Sequence, residues 1–405
     1  MNILFVSQYF YPENFRINDL AVSLVERGHN VSVLTGMPNY PAGKLFEGYT
    51  KNGPFYEEWQ GVKIYRVKNR VRKSGAKNLA LNYLSFIYKG CKGARALIKN
   101  NSYDVIYAFG TSPITQALPA LTIRKLRDIP IILNVQDLWP DNVAVITGID
   151  NPIFIKAIDL LVDYIYNRCD IILGTSKSFV EAIKNRRGLR VKHKVKYWPQ
   201  YATVEKSEDI KAGIYDDGKF NIAFTGNIGQ GQGLENIIES FAYLKGENIV
   251  LNLFGDGRAR SDLQNIVKKN GLSDMIKFHG SFPEKDIPAI LNGADVALLC
   301  LNNSPIFEKT IPAKLQTYLC CGCAVLGIVT GESKRLIQDN NLGVCVDNRI
   351  IDKQEIAKTI KKLANTDSKV LDAWRENALN LSNTEFSKQE LVDEIEKMME
   401  VLGKK

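Results

Sequence analysis

Short apolar runs alternate with helical stretches from the start of the chain. Residues 2–7 (NILFVS) form one such run, and a helical pattern from Asn18 to Arg27 follows it. Gly28 and His29 then turn the chain into a second apolar run at Val31–Thr35. This strand–helix–strand order is typical of the opening of a doubly wound parallel sheet.

The alternation continues along the chain and restarts once. Further strands are predicted at 62–67, 104–108, 130–135 and 171–174, and then, after a polar stretch, at 220–225, 249–254, 275–279, 295–301, 323–328 and 343–346. Apolar strands separated by helices favour mostly parallel sheets that are covered on both faces. The pattern therefore predicts Rossmann-like α/β domains at 1–200 and 220–385, joined by a linker at 201–219. An amphipathic helix at 386–402 is expected to cross back to the first domain.

Length and charge add two limits. A chain of 405 residues is too long for one ordinary core and suits two or three domains. The formal net charge of +9 indicates an acidic partner, and nucleic acid, anionic lipid and a phosphorylated substrate all fit it. No recognised nucleic-acid module surrounds the basic residues, so we do not expect a nucleic-acid partner.

Cysteines and apolar segments do not indicate a metal site or a membrane span. Cys320, Cys321 and Cys323 cluster, but no second pair of Cys or His lies nearby in sequence to complete a zinc site. The first residues read as a strand rather than as a signal peptide, and no apolar run approaches the ~20 residues that span a bilayer. These features predict a cytosolic protein, or one attached to a cytosolic surface.

Two glycine-rich loops follow strands of the second predicted domain. Phe224–Leu234 runs from a strand through four glycines into a helix, which would let backbone amides approach a phosphate. Gly255–Arg258 follows the next strand, and the Arg258 guanidinium could grip a diphosphate with two hydrogen bonds. Each loop taken alone also fits a tight turn, with Arg258 as a turn-capping surface residue.

A third element is the segment Lys309–Gly322. Pro312 is expected to start a helix, which would place Thr310 and Ile311 at its N-terminal end among free N–H groups. Lys314 would then lie in the first turn, where a cation opposes the helix dipole. An anion bound there would explain this placement, and a solvated surface charge is the alternative.

The order of these loops resembles family 4 retaining glycosyltransferases of the GT-B fold, especially the branch that builds bacterial O-antigen and capsule polysaccharides. The resemblance extends over nearly the whole chain and includes four motifs of the first domain, Tyr11–Leu20 (YPENFRINDL), Arg27–His29 (RGH), Gly36–Lys44 (GMPNYPAGK) and Val135–Asp141 (VQDLWPD). It implies two Rossmann-like domains facing across a cleft, with the acceptor in the first and a nucleotide-sugar donor in the second. It also implies transfer with retention of configuration, without a metal or cofactor.

The donor loops depart from the family pattern. Gly226, Asn227, Gln232 and Gly233 match the first donor loop, but many members carry Arg and Lys where Asn227 and Gln232 stand. Two cations that neutralise the leaving diphosphate are therefore absent. The resemblance leaves Arg258 and Lys314 as the candidates for stabilising the leaving group.

The family's paired glutamates, which usually hold the donor sugar and ribose, are also absent. Lys309 and Thr317 occupy those two positions, with Glu308 one residue away from the first. The Thr317 hydroxyl could bond a ribose hydroxyl, although it is neutral and short.

In the first domain, Asp137 follows a strand, where ligands of parallel sheets collect. Many relatives carry His immediately before this aspartate, and here it is Gln136. We predict that Asp137 positions the reacting sugar or activates the acceptor hydroxyl, with a turn or helix-capping carboxylate as the alternative. Trp139 is expected to line the sugar site or to pack under the loop, and Arg16 to contact an anion in the cleft or to pair with Glu13.

These roles predict a specific chemistry. The bond to the diphosphate would break through an oxocarbenium-like state, and the acceptor hydroxyl would attack from the same face and pass its proton to the departing phosphate. By association with related enzymes we expect a UDP-linked donor, with an N-acetylated sugar, and a glycan acceptor on a polyprenyl diphosphate. A sugar-nucleotide epimerase of the same fold and an inactive nucleotide-sugar-binding protein are the alternatives.

Basic residues concentrate at 63–99. No acidic residue occurs between Glu58 and Asp104, and the aromatic-rich apolar run 79–88 lies within this stretch. Such a pattern suits an anionic membrane surface, so peripheral attachment to the cytoplasmic membrane is expected. An ordinary amphipathic helix that faces the core fits the same pattern.

Overall fold

The computed structural model describes residues 1–143, 151–204, 214–215 and 218–404. Contacts within the chain divide it into two compact units. Unit 1 comprises Met1–Trp198 and the last segment from Gln389, and unit 2 comprises Pro199–Lys388. Most of the predicted linker 201–219 lies outside the described residues.

Unit 1 is built on an eight-stranded sheet in the order β3-β4-β2-β1-β5-β6-β7-β8. Its strands are β1 Asn2–Val6, β2 Asn30–Gly36, β3 Tyr56–Trp59, β4 Val62–Val67, β5 Val105–Gly110, β6 Ile131–Val135, β7 Ile171–Gly174 and β8 Val195–Tyr197. All neighbours are parallel except β3 and β4, which are antiparallel. Strand order reverses around β1, which pairs with β2 on one side and β5 on the other. Ligands of such sheets bind beyond the strand ends at this reversal.

The central strands of unit 1 are buried at successive positions, so both faces of this part of the sheet are covered. Among the described residues, the helices of unit 1 are α1 Arg16–Glu26, α2 Ala76–Asn100, α3 Leu118–Arg127, α4 Pro152–Tyr166 and α5 Lys177–Lys184, with the last helix of the chain described below. The apolar run 79–88 lies in α2 and divides between core and surface. Leu79, Tyr83 and Phe86 are buried, whereas Leu84 and Tyr88 are 60% and 67% exposed. The buried residues of this run fit the core-facing alternative, and its exposed side chains leave the membrane-surface prediction as a prediction.

Unit 2 is built on a six-stranded parallel sheet in the order β11-β10-β9-β12-β13-β14. Its strands are β9 Phe220–Thr225, β10 Ile249–Phe254, β11 Ile276–Gly280, β12 Val296–Cys300, β13 Val325–Ile328 and β14 Gly343–Val346. Its helices are α6 Leu234–Ser240, α7 Arg260–Lys269, α8 Ile287–Asn292, α9 Pro305–Lys309, α10 Ala313–Cys320, α11 Gly331–Asp339, α12 Lys353–Ala364 and α13 Ser368–Asn383. The order reverses between β9 and β12, so the loops that follow these two strands meet at one edge.

The last helix, α14, spans Lys388–Gly403 and packs on unit 1 from Gln389 onward. Its apolar face is buried, and Ile395 is fully so. Arg27 pairs with Glu396 at 2.6 Å, and His29 Nε2 lies 2.7 Å from the same carboxylate. His29, which ends the RGH motif, thus acts in the packing of this helix. None of the described helices is long and apolar enough to cross a membrane.

Candidate active site

The two predicted glycine loops of unit 2 pack directly against each other. The Gly226 amide donates to the Phe254 carbonyl at 2.8 Å, and the Ile228 amide donates to the Asp256 carbonyl at 2.8 Å. A Cβ at Gly255, whose φ is +143°, would lie 1.9 Å from the Gly226 carbonyl oxygen. Only glycine fits this approach, so the two loops form one backbone platform at the ends of β9 and β10.

The first loop does not run straight into a helix. A single 3₁₀ turn at Gln230–Gln232 precedes α6, and Gly233 sits between them in a left-handed conformation with φ +66°. Asn302, which follows β12, fixes this turn because its backbone amide donates to the Gly231 carbonyl at 2.9 Å and its side chain donates to the Gln230 carbonyl at 2.5 Å. Sequence reasoning missed Asn302, since no local pattern marks it.

Lys314 reaches this platform from the first turn of α10. The helix begins at Ala313 with Pro312 as its N-cap residue, so Pro312 precedes the helix by one residue instead of opening it. Lys314 Nζ donates to Gln232 Oε1 at 2.6 Å and lies 3.7 Å from the centroid of the Phe224 ring. A Cβ at Gly226 would be 3.2 Å from the Lys314 Cε. The cation therefore lies directly beside the first donor loop.

Burial perturbs this lysine. Desolvation lowers the Lys314 pKa to about 8, because few water molecules remain to stabilise the ammonium charge. Its neighbours include the Phe224 ring face, the Gln232 side-chain oxygen and the Cys300 thiol. Burial raises the pKa of Cys300 to about 12, so all three are neutral at pH 7. A half-buried cation beside neutral groups is suited to bind an anion.

A cavity of about 270 Å³ opens next to the platform. Thr225, Gly226 and Asn227 line one side and Phe254, Gly255 and Asp256 another, with Ser281, Phe282, Ile287 and Ile290 closing it. The rings of Phe254 and Phe282 are 5.4 Å apart and nearly perpendicular, and His279 stacks on Phe254 at 4.3 Å. This cavity was not predicted from the sequence. Its walls follow three neighbouring strands, and that position could have indicated it.

The remaining donor candidates differ in what they offer. Arg258 is exposed in the loop before α7. The Thr310 hydroxyl donates to the Ile306 carbonyl at 2.8 Å, and the Thr317 hydroxyl donates to the Ala313 carbonyl at 3.2 Å. Both hydroxyls thus give their protons to their own helices and keep lone pairs for a ligand. Ile311 packs against the apolar core of unit 2.

In unit 1, Asp137 follows β6 and is held by its neighbours. Its Oδ2 accepts the Ser112 amide at 2.6 Å, and its Oδ1 accepts the Asn142 side chain at 3.0 Å. Burial raises the pKa of Asp137, while the hydrogen bonds from Ser112 and Asn142 oppose that shift. The Gln136 side chain donates to Asn134 Oδ1 at 2.8 Å.

Trp139 and Arg16 of unit 1 differ in their surroundings. Trp139 is 8% exposed, belongs to the core of unit 1 and donates to Ser112 Oγ at 3.1 Å, so it packs under the loop and does not present its ring to a sugar. Arg16 is the first residue of α1 and is half-buried. The Glu13 oxygens accept the backbone amides of Phe10, Asn39 and Tyr40.

Comparisons with known proteins agree with this geometry. Residues 14–197 match the family model of the glycosyl transferase 4-like domain, and residues 205–381 match that of glycosyl transferases group 1. The putative colanic acid biosynthesis glycosyl transferase WcaI of Escherichia coli K12 is 23% identical over 341 residues, which are 80% of this chain and 82% of the relative.

Solved structures are similar over both units. Sucrose-phosphate synthase from Thermosynechococcus elongatus aligns with 99% of this chain and 98% of its own, at a TM-score of 0.76 and 13% identity. Anabaena Alr3699/HepE in complex with UDP aligns with 99% of this chain and 100% of its own, at a TM-score of 0.67 and 15% identity. With two parallel-sheet α/β domains and both family models matched in order, the chain belongs to the family 4-type glycosyltransferases of the GT-B fold.

Proposed function

We propose that this glycosyltransferase moves a sugar, with retention of configuration, from a UDP-linked donor to a lipid-diphosphate-linked glycan in bacterial O-antigen or capsule synthesis. The observation that carries the proposal is the meeting of the glycine platform, Lys314 and an aromatic-walled cavity at one strand edge of unit 2. The description of WcaI names colanic acid biosynthesis, and HepE was solved with UDP, which supports a polysaccharide product and a uridine donor. An N-acetylated donor sugar rests on the family resemblance alone.

The donor would lie across the platform. The nucleobase is proposed to enter the cavity whose wall includes the Phe254 and Phe282 rings, because an aromatic wall suits a planar ring. The diphosphate then rests near Gly226 and within reach of Lys314. Since the pKa of Lys314 is about 8, this side chain is protonated at neutral pH and can stabilise the negative charge that builds on the departing diphosphate. Arg258 is proposed to close on the diphosphate from the second loop.

The acceptor would be handled by unit 1. Asp137 keeps lone pairs beside its hydrogen bonds from Ser112 and Asn142 and is proposed to accept a hydrogen bond from the acceptor hydroxyl. That hydroxyl attacks the anomeric carbon on the face that the diphosphate leaves, and its proton passes to a departing phosphate oxygen. We further propose that no metal or cofactor takes part in this transfer.

Unit 1 is also proposed to bind the cytoplasmic membrane through region 63–99, as a peripheral protein on the cytoplasmic side. The exposed face of α2 carries Leu84 and Tyr88 together with the cations Lys77, Lys89, Lys92, Arg95 and Lys99. A groove of about 750 Å³ lined by residues of α2, α3 and α4 adjoins it, and on α4 Ile153 and Leu160 are 81% and 62% exposed. Apolar side chains flanked by cations match an anionic lipid interface.

Transfer can be tested with a panel of nucleotide sugars and a polyprenyl diphosphate sugar as acceptor. Product formation is followed by mass spectrometry, and the new linkage is assigned by NMR. We expect transfer from a UDP-sugar with an unchanged anomeric configuration. Absence of transfer from every donor together with tight UDP binding would identify a nucleotide-sugar-binding protein, and conversion of the donor without acceptor would identify an epimerase.

Membrane attachment is tested separately by vesicle flotation. The wild-type chain is expected to float with phosphatidylglycerol vesicles and not with phosphatidylcholine vesicles. Replacing Leu84 and Tyr88 together by Ser should abolish flotation. The matched control is Tyr243→Ser, which removes a 58% exposed tyrosine from unit 2. Equal flotation of the double variant and the wild type would contradict the assignment of this surface.

A further inference from the structure

Unit 1 contains a half-buried arginine surrounded by tyrosines. Arg72 lies in the loop between β4 and α2, with its guanidinium carbon 5.4 Å from the centroid of the Tyr40 ring and Nη1 3.4 Å from the Tyr9 hydroxyl. The guanidinium interacts electrostatically with Tyr9, Tyr40 and Tyr83. Among the described residues, no carboxylate lies within ion-pair distance of it. Withdrawing a cation from water without an acidic partner is unfavourable, and a bound anion would offset that cost.

The hydroxyl of Tyr83 is a second polar group at the same place. Tyr83 is 9% exposed, and its hydroxyl makes no hydrogen bond of normal geometry, although it lies beside the Arg72 guanidinium. Buried hydroxyls are usually hydrogen-bonded, so this enclosed O–H lacks the partner that an anionic oxygen bound next to Arg72 would supply. The guanidinium and the hydroxyl together offer donors to one set of anionic oxygens.

The backbone around Arg72 is held in place by the sequence motifs that the donor site does not use. The Arg72 amide donates to Asn39 Oδ1 at 2.7 Å. A Cβ at Gly43, whose φ is +69°, would lie 2.2 Å from the Arg72 carbonyl oxygen. Glu13 in turn accepts the amides of Asn39 and Tyr40 at 2.7 and 2.6 Å. Two motif segments therefore fix the loop that carries Arg72, which is the preorganisation that a binding site needs.

Aromatic rings form the wall of this place. Tyr9 and Phe15 stack at 5.3 Å, and Tyr40 packs against both at 5.2 and 5.3 Å. Tyr40 is 36% exposed and Arg72 is half-buried, so these two side chains are reachable from solvent, whereas Tyr9 is buried behind them. Aromatic faces suit the C–H surfaces of sugars and of an isoprenoid chain. Burial raises the pKa of Tyr83, and the Asp137 charge adds to this shift, so the predicted acceptor-positioning carboxylate lies near the same tyrosine.

From this geometry we propose that Arg72 and Tyr83 form a subsite for an anionic group of the acceptor, either a phosphate or a carboxylate. The inference rests on the proposed transferase function and deepens it, because it makes a negative charge near the reacting sugar a requirement for recognition. Two sources supply such a charge: the diphosphate of a lipid carrier and the carboxylate of a uronic acid within the glycan.

Transfer kinetics with matched acceptors distinguish these sources. Each acceptor sugar is tested on a farnesyl diphosphate and on a neutral alkyl chain. Both forms are prepared with and without a uronic acid in the glycan. For Arg72→Gln we expect the acceptor KM to rise at least about tenfold with the anionic acceptor, because a charge-assisted hydrogen bond is lost, while the Kd for UDP stays unchanged. A rise that follows the farnesyl diphosphate identifies the carrier, and one that follows the uronic acid identifies the glycan. An equal rise with neutral acceptors would overturn the proposal.

Tyr83→Phe separates binding from folding. Because the hydroxyl has no normal hydrogen bond in the protein, its removal should leave the thermal midpoint unchanged or higher, and yet raise the acceptor KM by about 2- to 10-fold. The matched control Arg187→Gln removes an exposed arginine of unit 1 and should change neither quantity. Unchanged acceptor KM in Tyr83→Phe and Arg72→Gln alike would refute the subsite.

A binding experiment keeps this inference independent of transfer. With UDP saturating the donor site, calorimetry measures the binding of farnesyl diphosphate and of glucuronate to the wild type and to Arg72→Gln. We expect the wild type to bind one of these anions and the variant to bind it at least about tenfold more weakly. If that loss is found and no acceptor is glycosylated, the subsite stands and the proposed function fails. If the wild type binds neither anion, the subsite fails.

Discussion

Replacing Lys314 by Met tests the donor site most directly. Methionine keeps a flexible side chain of similar length that can still pack on the Phe224 ring, so the change removes the charge and leaves most of the packing. The lost group is a half-buried ammonium beside the platform, and hydrogen bonds to charged groups contribute about 1.5–3 kcal/mol. We therefore expect the Kd for UDP to rise about 10- to 150-fold at pH 7.

The pH dependence gives a second, sharper expectation. Lys314 has a pKa of about 8 in the free protein, so it is charged below that pH and neutral above it. A bound diphosphate favours the charged form and raises the Lys314 pKa in the complex. The Kd of the wild type should therefore rise with pH above about 8, by up to about tenfold per unit. The terminal phosphate of UDP is fully ionised above pH 8, since such groups have a pKa of about 6. Lys314→Met should lack this rise.

Calorimetry with UDP from pH 6.5 to 9.5 measures both effects, and Lys358→Met is the matched control because Lys358 is an exposed lysine of α12 in unit 2. A compensating variant adds a stricter test. Lys314 Nζ lies 2.6 Å from Gln232 Oε1, so Gln232→Lys in the Lys314→Met background should recover at least part of the UDP affinity. A Kd within twofold of the wild type for Lys314→Met, or the same rise with pH, would refute the assigned role.

Three further changes test the scaffold. Gly255→Ala places a Cβ against the Gly226 carbonyl oxygen at a φ of +143°. The strain should weaken UDP binding, measured by calorimetry, at least about tenfold. Unchanged affinity would contradict the proposal that UDP binds on the platform. Glu13→Gln turns a side-chain N–H₂ toward a backbone N–H, so two donors face each other. We expect urea unfolding to show that unit 1 is destabilised by about 1–3 kcal/mol. An unaltered unfolding midpoint would mean that these hydrogen bonds are dispensable. Ile395→Ala leaves a cavity under α14 and should lower the free energy of unfolding by about 2–5 kcal/mol, which a lower thermal midpoint would show. An unchanged midpoint would show that α14 is not needed for the stability of unit 1.

The strands of both sheets were largely predictable because a buried parallel strand is a continuous apolar run. The predicted runs at 62–67, 171–174, 220–225, 249–254 and 343–346 coincide with observed strands. Two strands escaped prediction. β3 lies at a sheet edge and reads Tyr-Glu-Glu-Trp, which is neither a continuous apolar run nor an alternation of apolar and polar residues. β8 has three residues, too few to show a period.

The site was predictable where function depends on local order along the chain. The positions of Lys314 in a first helical turn and of the glycine loops after strands are local properties. The contacts that define their chemistry are not. Lys314 and Gln232 are 82 residues apart in sequence, so no pattern along the chain joins them. Likewise no local pattern shows that tertiary packing turns three backbone amides toward the Glu13 carboxylate.

The four departures from the family pattern are related through their charges. Many members carry Arg, Lys and two Glu where this chain has Asn227, Gln232, Lys309 and Thr317, so the formal charge of the four positions changes from zero to +1. Loss of the two acids removes repulsion from the diphosphate, and fewer cations are then needed to hold it. Lys314 supplies its charge from α10 to the edge of the first loop, through the Gln232 side chain that replaces the usual lysine. The two substitutions on the loop and the two near α10 are thus electrostatically matched, which supports the proposal that one lysine of lowered pKa serves where many relatives use two fully charged groups.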